Sequence, residues 1–175
     1  SVSSTLSAMT AIKTIVLSMP INQIKSQHDL SLKHQEWLTK KFKNVEAHTL
    51  KLDEVFNTFK STLSNFNNEH GMANSRARLR MTTLYQVAAA NNGIVVGTGN
   101  KVEDFGVGFY TKYGDGGVDI SPLADCNKTE IWEIGKELNI LKEIIDAPPT
   151  DGLWDDGRTD EGQLGFKYSE LEDAM

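Results

Sequence analysis

The chain has 175 residues, 39% of them apolar and 24% charged, which suits one globular domain with a sizeable core. A formal charge of −6 argues against nonspecific nucleic-acid binding, which needs a basic footprint, and no apolar run approaches the ~18 residues a membrane span requires. The single cysteine, Cys126, excludes an intramolecular disulfide framework, fits a reducing, cytoplasmic compartment, and has no second soft ligand nearby to make a zinc site.

Residues 2–9 read as a short helix with Val2, Leu6 and Met9 on one face. They have no basic n-region and are not a signal peptide. Residues 13–20 (KTIVLSMP) form the first strand, ended by Pro20, and residues 23–27 form a polar loop. Leu30, His34, Trp37, Leu38 and Phe42 recur at helical spacing, so residues 29–42 are an amphipathic helix. Residues 45–50 alternate as a second strand. Asp53 can then cap a helix whose buried stripe is Val55, Phe56, Phe59, Leu63 and Phe66. The four histidines show no metal-ligand spacing and read as surface or packed residues.

Residues 65–71 form a polar loop before a long helix over 73–91, stopped by Gly93. Residues 93–97 (GIVVG) read as a buried strand. Asn127 and Glu130 in NKTE form a capping box, opening a helix through Leu138, and a further helical turn over 141–145 ends at Pro148-Pro149. Residues 150–163 are polar and carry Asp151, Asp155, Asp156, Asp160 and Glu161, and residues 168–175 read as a helix just begun. Strands alternating with helices predict an α/β fold, a parallel sheet with helices on both faces.

The segment 97–123 (GTGNKVEDFGVGFYTKYGDGGVDISPL) holds seven of the fourteen glycines, so its backbone can approach a ligand closely. It follows a strand, where open α/β sheets bind ligands. Glu103 and Asp104 are candidates for Mg²⁺, which takes one or two carboxylates plus phosphate oxygens. Lys112 and Asp119 flank the Gly114, Gly116, Gly117 turn, and Lys128 is a point charge suited to phosphate. Arg76, Arg78 and Arg80 occupy the first turns of the predicted long helix, where cations suggest an anionic ligand. Residues two apart point about 200° apart on a helix, so all three cannot serve one ligand. Together these residues describe a site for a phosphorylated ligand with a divalent cation. No Ser-His or Cys-His arrangement for nucleophilic catalysis is present.

The runs NSRARLRM, GTGN, GFYTKYGDGGVDISPL, NKTEIW and PPTDGLWDDGRTDEGQLG closely resemble the NAD synthetase family, most strongly over 73–168 and extending over 1–175. The resemblance implies a Rossmann-like fold of the adenine nucleotide alpha hydrolase type and a homodimer. It implies that ATP adenylates the carboxylate of deamido-NAD, releasing pyrophosphate, and that ammonia, free or delivered from glutamine, displaces AMP to give NAD. By the same resemblance Thr98, Lys128 and Thr150 contact ATP, Glu103 ligates Mg²⁺, and Arg78, Lys112 and Asp119 contact deamido-NAD. Lys112 and Asp119 are the residues taken as catalytic. Many members have Asp-His where this chain has Gly99-Asn100, and the Glu103–Lys112 spacing is one residue longer than in some relatives, which leaves Asp104 as the alternative metal ligand.

The family's SGGxDS pyrophosphate loop and its basic C-terminal segment are absent from the sequence given, which begins at Ser1 without methionine. The chain therefore reads as a partial NAD synthetase domain, truncated at both ends and inactive alone. Two further readings stand beside it: another ATP pyrophosphatase, such as GMP synthetase or a tRNA-thiolating enzyme, and a noncatalytic fragment acting in binding or assembly.

Overall fold

The computed structural model describes residues 1–154 and 156–175; of the acids noted above, Asp155 lies outside the described residues. Helix α1 (Val2–Met9) leads to strand β1 (Thr14–Ser18), helix α2 (Lys25–Lys41) and strand β2 (Val45–Thr49). The strands pair in parallel, Thr14 opposite Val45 through Ser18 opposite Thr49. A parallel pair needs a crossover, and α2 supplies it. The buried side-chain amide of Gln35 fastens α2 across both strands, donating to the carbonyls of Val16 at 3.2 Å and His48 at 3.1 Å.

The amphipathic reading of α2 holds, with His34 and Leu38 buried, but the helix begins at Lys25 and absorbs most of the expected 23–27 loop. Leu38 is fully buried against Ala8 and Val45, with Val16, Trp37 and Phe42 around it. Leu38→Ala is expected to cost about 3 kcal/mol and lower Tm by on the order of 10 °C. Thermal unfolding checks this; an unchanged Tm would contradict a close-packed site.

Helix α3 (Asp53–Thr62) departs from expectation. Asp53 is its first residue, and its carboxylate accepts the Asn22 N–H at 2.7 Å, bracing the loop after β1 rather than capping the helix. Of the predicted buried stripe only Phe56 is buried, at 1% exposure, packed with Ile21, Leu52 and Met72. Val55 and Phe59 lie within the helix yet stay exposed, and Phe66, exposed as well, falls in a 3₁₀ turn over Ser64–Phe66 after the helix stops at Thr62.

Helix α4 (Glu69–Ala90) starts inside the expected polar loop, where Asn68 caps it by accepting the Gly71 N–H at 2.7 Å. Arg76, Arg78 and Arg80 therefore lie beyond its first turn, and the inference drawn from cations at a helix start fails.

The expected strand over 93–97 is reduced to a single parallel bridge, Val96 to Ile120. The Val95 N–H is held at 2.7 Å by the Asp119 carboxylate instead of a neighbouring strand. Among the described residues the sheet thus has two strands, β1 and β2, with α1 and α2 packed on it. The fold is α/β with a parallel sheet, of the Rossmann-like kind.

A π-helical turn, Val102–Val107, precedes α5 (Lys128–Glu137) and α6 (Lys142–Ile145). At the start of α5, Glu130 accepts the Asn127 N–H at 2.7 Å, as the NKTE spacing predicts. Helices α1, α5 and α6 share a core of Val2, Leu123 and Ile140. Helix α7 (Asp160–Leu164), largely within the stretch described above only as polar, and α8 (Tyr168–Asp173) complete the chain. No helix of the described residues is long and apolar enough to cross a membrane.

Candidate active site

The glycine-rich segment is folded by its own side chains. Asn100, 1% exposed, accepts the Glu103 N–H at 3.0 Å and so starts the π-helical turn. At Gly99 the Asp104 carboxylate occupies the space a Cβ would take, so any larger residue there would require Asp104 to turn aside. Further on, the amides of Gly114 and Gly116 turn back to the Thr111 carbonyl at 2.9 and 3.3 Å. Gly114 lies so close to Ala77 of α4 that a Cβ would come within 2.9 Å of it. The glycine turn is therefore seated on α4, where Thr111 also donates to Asn74 at 2.7 Å.

The three arginines of α4 each reach a backbone carbonyl of a different segment. Arg80 donates to Met19 just after β1 at 3.0 Å, Arg78 to Lys112 at 3.1 Å, and Arg76 to Leu153 at 2.7 Å. They act as cross-links that hold three loops around one helix. Burial, with Arg76 beside it, brings Arg80 down to about 10.

Thr98, Lys128 and Thr150 line one cavity of about 540 Å³. Leu123, Ile131, Trp132, Ile144 and Ile145 give it apolar walls. Thr150 is fixed by the Gln27 amide, which donates to its hydroxyl at 3.0 Å. Lys128 pairs with Glu103 at 2.8 Å, their side chains 19% and 15% exposed. The amide and hydroxyl of Thr129 are both taken by Glu172, at 3.0 and 2.6 Å. The start of α5 thus gives this cavity Lys128, Ile131 and Trp132, while the polar groups of Thr129 are engaged elsewhere. A second cavity, of about 560 Å³, is bounded by Phe56, Arg76, Leu153 and Trp154.

Arg78, Lys112 and Asp119 do not line the first cavity. Arg78 and Lys112 are joined only by the backbone bond. Asp119, besides the Val95 amide, accepts the Tyr85 hydroxyl at 3.1 Å. It closes the Val96–Ile120 bridge, a structural task its position after the glycine turn did not announce.

Sequence reasoning also missed a buried cluster behind Glu103. The Tyr168 hydroxyl donates to Glu103 Oε1 at 2.6 Å and lies 3.2 Å from Asp160 Oδ2. Tyr168 reads only as a helix start, and Asp160, though inside the PPTDGLWDDGRTDEGQLG run, only as one acid among several. Burial raises Asp160 from 3.8 to about 6, with Glu103 adding to the rise and Lys128 opposing it. Burial also raises Asp104, with the Glu103 and Asp115 carboxylates adding.

A raised carboxyl binds more protons folded than unfolded, so stability falls as pH rises from near 3.8 to about 6. Above that window the charged Asp160 costs the fold about 3 kcal/mol. Asp160→Asn is expected to melt above the parent at pH ~8 and level with it at pH ~4. An equal gap at both values would refute the assignment.

Among the described residues no three His, Cys, Asp or Glu side chains form a metal cage. A Mg²⁺ that takes most of its oxygens from phosphate and water needs only one or two carboxylates from the protein, and Glu103 and Asp104 remain the candidates for that smaller role.

Residues 2–175 match the NAD synthase family. This chain belongs to that family. It is 42% identical over 133 residues to the NH₃-dependent NAD⁺ synthetase of Carboxydothermus hydrogenoformans, covering 74% of this chain and 54% of the relative. The NH₃-dependent NAD⁺ synthetase of Alkaliphilus oremlandii is 44% identical over 133 residues, covering 75% and 49%. The chain spans about half the length of these curated relatives. Among solved structures, NMN synthetase from Francisella tularensis superposes with a TM-score of 0.90 at 35% identity, over 99% of this chain and 70% of that one. The NH₃-dependent NAD synthetase from Campylobacter jejuni gives 0.72 at 26% identity, over 98% and 67%.

Proposed function

We propose that this chain is the part of an ATP-dependent amidating ligase that holds the nucleotide and much of the acid substrate, converting deamido-NAD to NAD with ammonia. The observation that carries the reading is the convergence of Thr98, Lys128 and Thr150 on one cavity with Glu103 at its cation. ATP enters that cavity, its base against the apolar wall and its phosphates toward Lys128. Adenylation turns the pyridine carboxylate into a mixed anhydride with AMP as leaving group, and pyrophosphate departs. Ammonia attacks the acyl carbon, the C–O bond to AMP breaks, and the amide remains. Lys128 offsets charge growing on the phosphates, an electrostatic contribution made at the transition state. Mg²⁺ bound at Glu103, with Asp104 as the alternative ligand, would supply further charge neutralisation. Arg78 of α4 and, tied to that helix by hydrogen bonds, Lys112 and Asp119 receive the acid substrate. The family match favours this reading over another ATP pyrophosphatase.

A second substrate has an observation of its own. The NMN synthetase neighbour superposes at 0.90, above the 0.72 of the NAD synthetase neighbour. The mononucleotide, nicotinic acid mononucleotide, is therefore the alternative acid.

The test is amide formation by the protein expressed from its complete reading frame, with ATP, Mg²⁺ and ammonium, given either the dinucleotide or the mononucleotide acid. AMP and pyrophosphate formed one-to-one with amide are expected. The higher kcat/KM names the substrate, and glutamine in place of ammonium tests the nitrogen donor. No amide from either acid would leave the noncatalytic reading standing.

A homodimer and a cytoplasmic location belong to the same proposal. The exposed Val55, Phe59 and Phe66 supply an apolar face for a second copy. Sedimentation of the complete protein is expected to give a dimer, and a monomer would remove that part.

A further inference from the structure

Tyr168 is wholly buried at the end of the chain, in a helix that no motif marks. Its ring meets Trp132 edge-on at 6.1 Å between centroids, and the Lys128 ammonium sits 4.9 Å from its centroid. From this geometry we propose that Tyr168 is the positioning residue of the nucleotide site, its hydroxyl restraining the Glu103 carboxylate and its ring supporting the Lys128 ammonium.

A phenol has one proton to donate. The 2.6 Å contact shows that Glu103 receives it, while Asp160 lies farther off at 3.2 Å. Glu103 Oε1 accepts from both Tyr168 and Lys128. That shared oxygen sets how the two charges face each other. Lys128 has three N–H groups, and the Glu103 bond uses one. The others can turn to an incoming phosphate while the aromatic face still supports the charge. Without the tyrosine hydroxyl, Glu103 is free to close on Lys128 with both oxygens, leaving ammonium and carboxylate less available to nucleotide and cation. The rest of the tail is fixed independently: Glu161 accepts the Tyr168 N–H at 3.0 Å, and Glu172 binds Thr129. Loss of the hydroxyl alone therefore leaves α8 anchored.

The proposal rests on the nucleotide-site reading above, and a double-mutant cycle tests it separately from catalysis. ATP binding is measured by calorimetry, with Mg²⁺ titrated, on the complete protein and its Tyr168→Phe, Glu103→Ala and doubly substituted forms, at a temperature where thermal unfolding shows each folded. Tyr168→Phe is expected to weaken ATP binding roughly tenfold and to raise the Mg²⁺ concentration needed for half saturation. In the Glu103→Ala background the same change is expected to cost less than about twofold, because its target is gone. Equal losses in both backgrounds would mean that Tyr168 acts through packing alone, and no loss with Glu103 present would equally overturn the proposal. A parent that binds ATP but forms no amide defeats the functional reading while leaving this one to the cycle. A parent that does not bind ATP defeats both.

Discussion

Lys112→Ala is expected to lower amide formation by about two to three orders of magnitude while leaving the melting temperature unchanged. The side chain is exposed, and its ammonium sits 5.1 Å from the Tyr113 ring centroid. What its position contributes to the fold comes through the backbone, where its carbonyl accepts from Arg78 and Thr111 turns back on Gly114. Alanine keeps both. A lysine on a backbone so closely determined, beside a glycine turn packed on α4, has its charge directed outward to solvent or ligand. Kinetics at saturating ATP against the acid substrate, with calorimetric melting, check this together. Wild-type turnover would remove Lys112 from the site, and a lowered melting temperature would show a structural task the contacts do not reveal.

How far these features were legible in the sequence depended on whether the deciding interaction was local. The run TIVLS and the alternation after Asn44 specified β1 and β2 because β-branched residues favour extended backbone. Helix α2 was legible from its period. Its start was not, since Lys25 to His28 are polar and the α2 core lies further along the helix. The 93–97 segment had the composition of a strand but no ladder partner beyond Ile120 among the described residues, and a strand exists only when paired. The stripe on α3 failed for a related reason: periodicity says which residues share a face, not whether anything covers it.

The site divides along the same line. Thr98, Lys128 and Thr150, which line the first cavity, were accessible by resemblance because their motifs are contiguous, GTGN, NKTE and PPTDG. Their arrangement was not. The 2.8 Å pair between Lys128 and Glu103 joins residues 25 apart, and Tyr168 comes from 65 residues beyond Glu103. The Arg76–Arg80 run shows the opposite limit: its charge pattern suggested an anion site, and a sequence could not display that Arg76, Arg78 and Arg80 donate to the carbonyls of Leu153, Lys112 and Met19.

Lys128→Ala is expected to lose ATP binding and about 3 kcal/mol of stability together. The ammonium is the cation on Glu103 and opposes the burial-driven rise of Asp160. Removing it leaves two carboxylates in one low-exposure cluster around the Tyr168 hydroxyl, each destabilised by the other. The loss should depend on pH in a definite direction. With Lys128 present, Asp160 takes up its proton near 6; without it, that value moves higher, because the only influence named above that favours the charged form by direct attraction has gone. A folded state that holds its proton to higher pH loses stability over a wider range as pH rises. The gap in melting temperature between parent and variant should therefore be larger at pH ~8 than at pH ~5. Lys128→Arg, which keeps the charge, should recover most of the stability without necessarily restoring nucleotide affinity, since a planar guanidinium does not present donors as an ammonium does. A pH-independent gap would mean that the lost cation–π and packing contacts with Tyr168, rather than the unpaired carboxylates, account for the destabilisation.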